Sequence, residues 1–114
     1  MTLARPVSVR RVIFTHGKNF HDGGWFDASA GKPRVQIQRT ADSAWGTIGE
    51  LNDYPATTAT NGQFDRLTWS NRSFTLSLTR PVTFVAVRVI GMPASGDNPQ
   101  QAFSSCAELQ AFSE

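Results

Sequence analysis

Disulfides are the first thing this sequence does without. Its 114 residues include one cysteine, Cys106, so no intrachain bridge braces the fold, and cysteine usage says nothing of compartment. Long apolar runs are missing too. No stretch approaches the ~20 consecutive apolar residues of a membrane-spanning helix. The opening MTLARPVSVRR has no apolar h-region, so no signal peptide is expected, although a module cut from a longer parent would lack one in any case. An excess of one charge is also lacking. Eleven Lys and Arg against nine Asp and Glu leave a formal net charge of +2. The arginines are scattered rather than massed, which argues against a nucleic-acid or membrane surface. No repeat, linker or low-complexity segment interrupts the chain, so a single domain over residues 1–114 is expected.

What is present is alternation. Hydrophobic residues make up 39% of the chain and aromatics 11%, enough for a core. No segment has the period of a long amphipathic helix. VSVRRVIFT, RVQIQR, WGTIGEL, SFTLSL, VTFVAVRVI and CAELQAF alternate apolar and polar side chains, with β-branched and aromatic residues frequent. Between them lie turn clusters such as HDGG, SAGKP, NDYP, TNGQ and ASGDNP. Short strands with punctuated spacing predict an all-β fold, a sandwich or barrel. The alternation slips between Arg10 and Arg11, which a β-bulge would reconcile. SFTLSLTRPVTFVAVRVI reads as two antiparallel strands turning at Arg80-Pro81, because proline has no N–H for a ladder. Val82 to Ile90 is apolar on nearly both faces and suits a central strand. RVQIQR is apolar on one face only, so Arg34, Gln36 and Gln38 should be wet.

The order of these strands resembles a known family. LARPVSVRRVIF, PRVQIQRTADSAWGTIGEL, FTLSLTRPVTFVAVRVIG and SSCAELQAF follow the galactose-binding-like β-sandwich of discoidin (coagulation factor 5/8 type C) domains. In style the chain is most similar to the carbohydrate-binding modules of bacterial glycosidases. Arg5-Pro6-Val7, Trp45 with Ile48, Ala86-Val87-Arg88-Val89 and Glu108-Leu109 stand at the family's motif positions. The resemblance implies an antiparallel jelly-roll sandwich that binds a carbohydrate. It also implies an extracellular setting, as part of a larger secreted enzyme. The family usually opens with several dozen further residues that carry a first strand and often calcium ligands. Glu108 stands where the closing strand commonly supplies such a ligand, but its partners would be missing, so no cofactor is expected. The missing opening also raises the expectation of an exposed sheet edge, which a second subunit could cover in a homodimer.

In the resembling family, two loops meet at one end of the sandwich and form the sugar site. The corresponding segments here are THGKNFHDGGWFDASAGK and GMPASGDNPQQAFSSC. A pyranose has an apolar C–H face, on which a ring can lie, and a rim of hydroxyls that polar side chains can fix. The expected sugar-binding residues are therefore His16, Lys18, His21, Asp22, Trp25, Asn98, Gln100 and Phe103. Trp25 would be the stacking platform, thrust outward by the turn at Gly23-Gly24.

Plainer readings compete. Trp25 could lid the end of the sandwich, Phe26 reads as packing, Trp45 as core and Trp69 as a structural or edge residue. Asn98 before Pro99 could only shape its turn, and Tyr54-Pro55 reads as a plain turn. His16, His21 and Asp22 match no strong metal signature. Ser104, Ser105 and Cys106 are nucleophile types without the elbow motif of hydrolases. Six aspartates and three glutamates show no arrangement typical of a glycosidase. The expectation is therefore a non-catalytic sugar-binding module, with a structural or interaction domain as the alternative.

Overall fold

The computed structural model of the chain describes residues 1–20, 22–60 and 71–113. Among them there is no helix. Seven strands run in the order β1 (Thr2–Thr15), β2 (Phe26–Asp27), β3 (Arg34–Gln38), β4 (Gly46–Glu50), β5 (Ser73–Ile90), β6 (Met92–Pro93) and β7 (Glu108–Phe112). Five of them form one sheet, β4-β3-β5-β1-β7, and β2 pairs with β6 in a separate two-stranded sheet. Every strand pairing is antiparallel. The predicted strands are all present, and the two-residue pair β2–β6 is additional.

β5 is the middle strand, which suits the two-sided apolar run that it contains. It is continuous from Ser73 to Ile90, so the expected chain reversal at Arg80-Pro81 does not occur. Val9 faces Val82 while Arg11 faces Ser77, leaving Arg10 opposite Leu78, Thr79, Arg80 and Pro81. The register break therefore falls where the alternation of β1 slips, but the extra residues belong to β5. Pro81 has no N–H to place in a ladder, and a bulge tolerates that as well as a corner does.

Cross-strand pairs assemble the core. Phe14 lies opposite Phe74 and Leu109, and Val12 opposite Leu76 and Ala111. Val35 pairs with Val89, and Ile37 with Val87. Phe26, Ala28, Leu51 and Tyr54 come from outside the large sheet and join the same cluster, so connecting segments close the core on that side. Each fully buried aliphatic or aromatic side chain contributes about 1.5–3 kcal/mol of transfer free energy. On the opposite face, Arg34 is exposed and Gln36 and Gln38 are half-buried, as the pattern of RVQIQ predicts.

Candidate functional site

The loop after β1 and the loop after β5 are knitted together. Gly23 and Gly24 have φ values of 141° and 117°, a region that favours glycine because it carries no Cβ. Close approach adds a second demand. A Cβ on Gly23 would lie 2.6 Å from the Ala94 carbonyl oxygen and 2.8 Å from the Phe103 ring, and one on Gly24 would lie 2.6 Å from Asn19 Oδ1. Through this gap the Gly24 N–H donates to the Phe103 carbonyl at 3.0 Å, and the Ser105 N–H donates to the Gly24 carbonyl at 3.0 Å. The Ala94 N–H reaches the Trp25 carbonyl at 3.1 Å, and the Phe103 N–H reaches the Ala94 carbonyl at 3.2 Å. Phe26 and Asp27 then pair with Pro93 and Met92 as β2–β6.

A third segment, residues 51–59, clasps both loops. Its anchor is the chain's single tyrosine, Tyr54, which has no exposed surface. The Tyr54 hydroxyl accepts the Phe26 N–H at 2.7 Å and lies 2.9 Å from His16 Nε2. His16 Nδ1 lies 2.8 Å from the Ser105 carbonyl. A carbonyl only accepts, so Nδ1 carries the hydrogen and Nε2 accepts from the tyrosine. The resulting chain runs from Phe26 N–H through Tyr54 and His16 to the Ser105 carbonyl, and every buried group in it has a partner. Thr57 extends the clasp through its hydroxyl bond to the Phe26 carbonyl. The Asp53 carboxylate accepts the Thr75 N–H at 3.1 Å and ties the segment to β5.

Burial sets the chemistry of these groups. Desolvation lowers the pKa of His16 below its usual value, and its bond to the Ser105 carbonyl offsets part of that shift. Desolvation also pushes the Tyr54 hydroxyl upward, against the smaller effect of its bond to Phe26. His16 is thus a neutral structural imidazole. The Ser105 hydroxyl lies 3.4 Å from Nδ1 but donates to the Gly24 carbonyl at 2.7 Å. An imidazole nitrogen that holds its own hydrogen cannot take one from that serine, so the pair is not a nucleophile and its base. Cys106 is exposed, and burial raises its thiol pKa, which disfavours the reactive thiolate.

The expected sugar-binding residues separate into groups. His16 is 0% exposed, which withdraws it from any ligand. Trp25 is 4% exposed, and its indole N–H donates to the Thr58 carbonyl at 3.0 Å. The glycine turn folds the indole under the loops rather than outward, so the stacking-platform expectation for Trp25 is corrected. Phe26 is core, as expected. Asn98 shapes its turn: its Oδ1 accepts the Gln100 N–H at 3.3 Å, and its carbonyl accepts the Gln101 N–H at 3.0 Å. Lys18 and Gln100 are exposed, while Asp22 and Phe103 are half-buried. His21 and Trp69 lie outside the described residues. Glu108 is exposed at the start of β7. Among the described residues no three His, Cys, Asp or Glu side chains converge.

Three features escaped the sequence reading. Phe20 is 49% exposed, with its ring centroid 6.3 Å from that of Phe103, so the loop tip does offer an aromatic surface. Tyr54 is the buried hub rather than a plain turn residue. Trp45, assigned to the core, is instead half-buried with the Arg88 guanidinium stacked 4.3 Å from its ring centroid. Its phase held the clue, because Trp45 alternates with Thr47 and not with Ile48. Comparison with protein-family models, with curated proteins and with solved structures finds no match to the chain.

Proposed function

We propose that this chain is a non-catalytic carbohydrate-binding module with a galactose-binding-like, jelly-roll sandwich architecture. In this reading it serves outside the cell, tethering a larger glycan-active enzyme to its substrate. A weak site suffices for that task, because attachment raises the local substrate concentration for the catalytic domain. The observation that carries the reading is the interlocked loop pair with an accessible ring at its tip. Phe20 takes the stacking role in place of Trp25, with Phe103 beside it and Lys18, Asp22 and Gln100 supplying hydrogen bonds from the same loops. A hydroxyl left without its partner costs about 1–3 kcal/mol, which is enough to reject an epimer. Affinity electrophoresis and calorimetry against a panel of neutral plant and microbial glycans test the proposal. Retardation by at least one glycan, lost in Phe20→Ala, is expected. A folded protein that no glycan retards contradicts it.

A second reading is an accessory domain that docks on a neighbouring domain or subunit. It is favoured by two exposed apolar side chains, Phe20 and the 63% exposed Met92, although Trp25, buried within the chain, is not its anchor. The strands β4 and β7 end the large sheet, and a second copy could cover either edge. Light scattering separates the readings. A dimer that Met92→Ser converts to monomer, with glycan binding absent, supports the accessory role.

A further inference from the structure

The solvent face of β3, β4 and β5 carries an arrangement that the loop tip does not use. Arg88 stacks on Trp45, and its Nε donates to Gln36 Oε1 at 2.9 Å. Gln36 is itself held, since its Nε2 donates to Thr47 Oγ1 at 3.1 Å. A guanidinium fixed through its plane and through Nε has lost most of its rotamer freedom before any ligand arrives. Its terminal N–H groups have no protein partner among the described residues, and the side chain is exposed. That edge is the fork that pairs bidentately with a carboxylate.

The fork has neighbours on the same face. Gln36 lies opposite Arg88, and Arg34, two residues along β3, lies opposite Ile90 and Glu50. Arg34 and Arg88 are diagonal neighbours, whose backbone separation is about 7–8 Å. Arg34, Glu50 and Ile90 also line an open cleft of about 480 Å³, together with Lys32, Asp27 and Met92. Lys32 is committed to the Asn52 carbonyl at 2.6 Å, and Asp27 accepts from the Ser29 hydroxyl at 2.6 Å. Lys32 keeps two further N–H donors and Asp27 its second carboxylate oxygen, so the cleft adds a cation and an anion to the two guanidinium edges and the Glu50 carboxylate.

We propose that this face is a second ligand site, specific for a uronate-bearing glycan, with Arg88 receiving a sugar carboxylate. The site goes beyond the neutral-sugar reading of the loop tip, although it rests on the same assignment of the chain as a glycan binder. The mixture of groups selects the ligand class. Arg88 and Arg34 call for carboxylates, while Glu50 calls for a donor, which a sugar hydroxyl supplies. An acidic peptide could meet Glu50 only through its backbone N–H groups, because its ionised side chains only accept, whereas a uronate carries donor hydroxyls on the same ring as its carboxylate. Two cations spaced along the sheet favour an oligomer over a lone carboxylate.

Calorimetry of the whole chain with a tetragalacturonate and with its methyl ester tests the inference, with oligoglutamate as the peptide control. Binding of the free acid is expected to weaken at least tenfold on esterification and at least tenfold in Arg88→Gln. It should also weaken on raising the salt concentration and stay unchanged in Phe20→Ala. Trp45→Phe, which keeps a ring beneath the arginine, should retain most of the affinity, and this guards against a folding defect in the other variants. Absence of tetragalacturonate binding, or binding indifferent to both esterification and Arg88→Gln, overturns the proposal. Oligoglutamate binding of equal strength and equal Arg88 dependence overturns the assignment to a glycan. A failure of the loop-tip reading shows up separately, as loss of neutral-glycan binding with the uronate response intact.

Discussion

Trp25 and Trp45 exchange the places that their sequence contexts suggest. Trp25 follows two glycines in a long polar loop, yet its indole is buried and hydrogen-bonded beneath that loop. Trp45 stands just before β4, where its sequence reads as the start of a strand, yet it lies on the solvent face under an arginine. The comparison shows what a glycine pair does and what strand phase does. Positive φ at Gly23 and Gly24 lets the two loops approach within backbone hydrogen-bonding distance, and the large side chain that follows fills the space beneath them. Strand phase, by contrast, fixes the side of the sheet on which a ring emerges, whatever its hydrophobicity.

Each tryptophan therefore answers differently to removal. Trp25→Ala should destabilise the fold by about 3–5 kcal/mol, the usual cost of deleting a buried large aromatic, read as a fall in the urea midpoint at constant m. Tyr54→Phe keeps the ring but leaves the Phe26 N–H and His16 Nε2 without their partner. It should cost about 1–3 kcal/mol for each buried group so orphaned. Trp45→Ala should cost only about 0.5–1 kcal/mol, the value of an exposed cation–π contact, and Phe20→Ala no more than about 0.5 kcal/mol. A loss of several kcal/mol at Trp45, or near neutrality at Trp25, would reverse the comparison.

The buried network adds a pH signature. His16 has a lowered pKa in the fold, so near and below pH ~6.5 the unfolded chain binds a proton that the folded chain refuses. Stability then falls as the pH drops from about 6.5 toward the folded pKa, and the His16 contribution is flat above that window. His16→Gln should be less stable at neutral pH but should lose part of this slope. Denaturant midpoints measured from pH 8 to pH 5 check both statements.

Much of the fold was legible. Alternation located every strand of the large sheet, the slip at Arg10-Arg11 marked a register break, and the two-sided run from Val82 marked the central strand. Pro81 misled because a missing N–H is equally at home in a corner and in a bulge. β2 and β6 were invisible, since two residues have no period. The candidate site was less legible. The loops were marked by their composition, but which of Phe20, Trp25 and Phe26 faces water depends on backbone direction after the glycines. No pattern in FHDGGWF encodes that direction. His16 looked like a ligand because its two hydrogen-bond partners lie 38 and 89 residues away along the chain.

Acrylamide quenching of two single-tryptophan proteins tests most directly the claim that the loops spend Trp25 on structure and leave recognition to other rings. One retains only Trp25, through Trp45→Phe and Trp69→Phe, and the other retains only Trp45, through Trp25→Phe and Trp69→Phe. The account predicts blue-shifted, weakly quenched emission from Trp25 that no glycan alters, and readily quenched emission from Trp45. Emission from Trp25 that is quenched like free indole, and protected when a glycan is added, would contradict it.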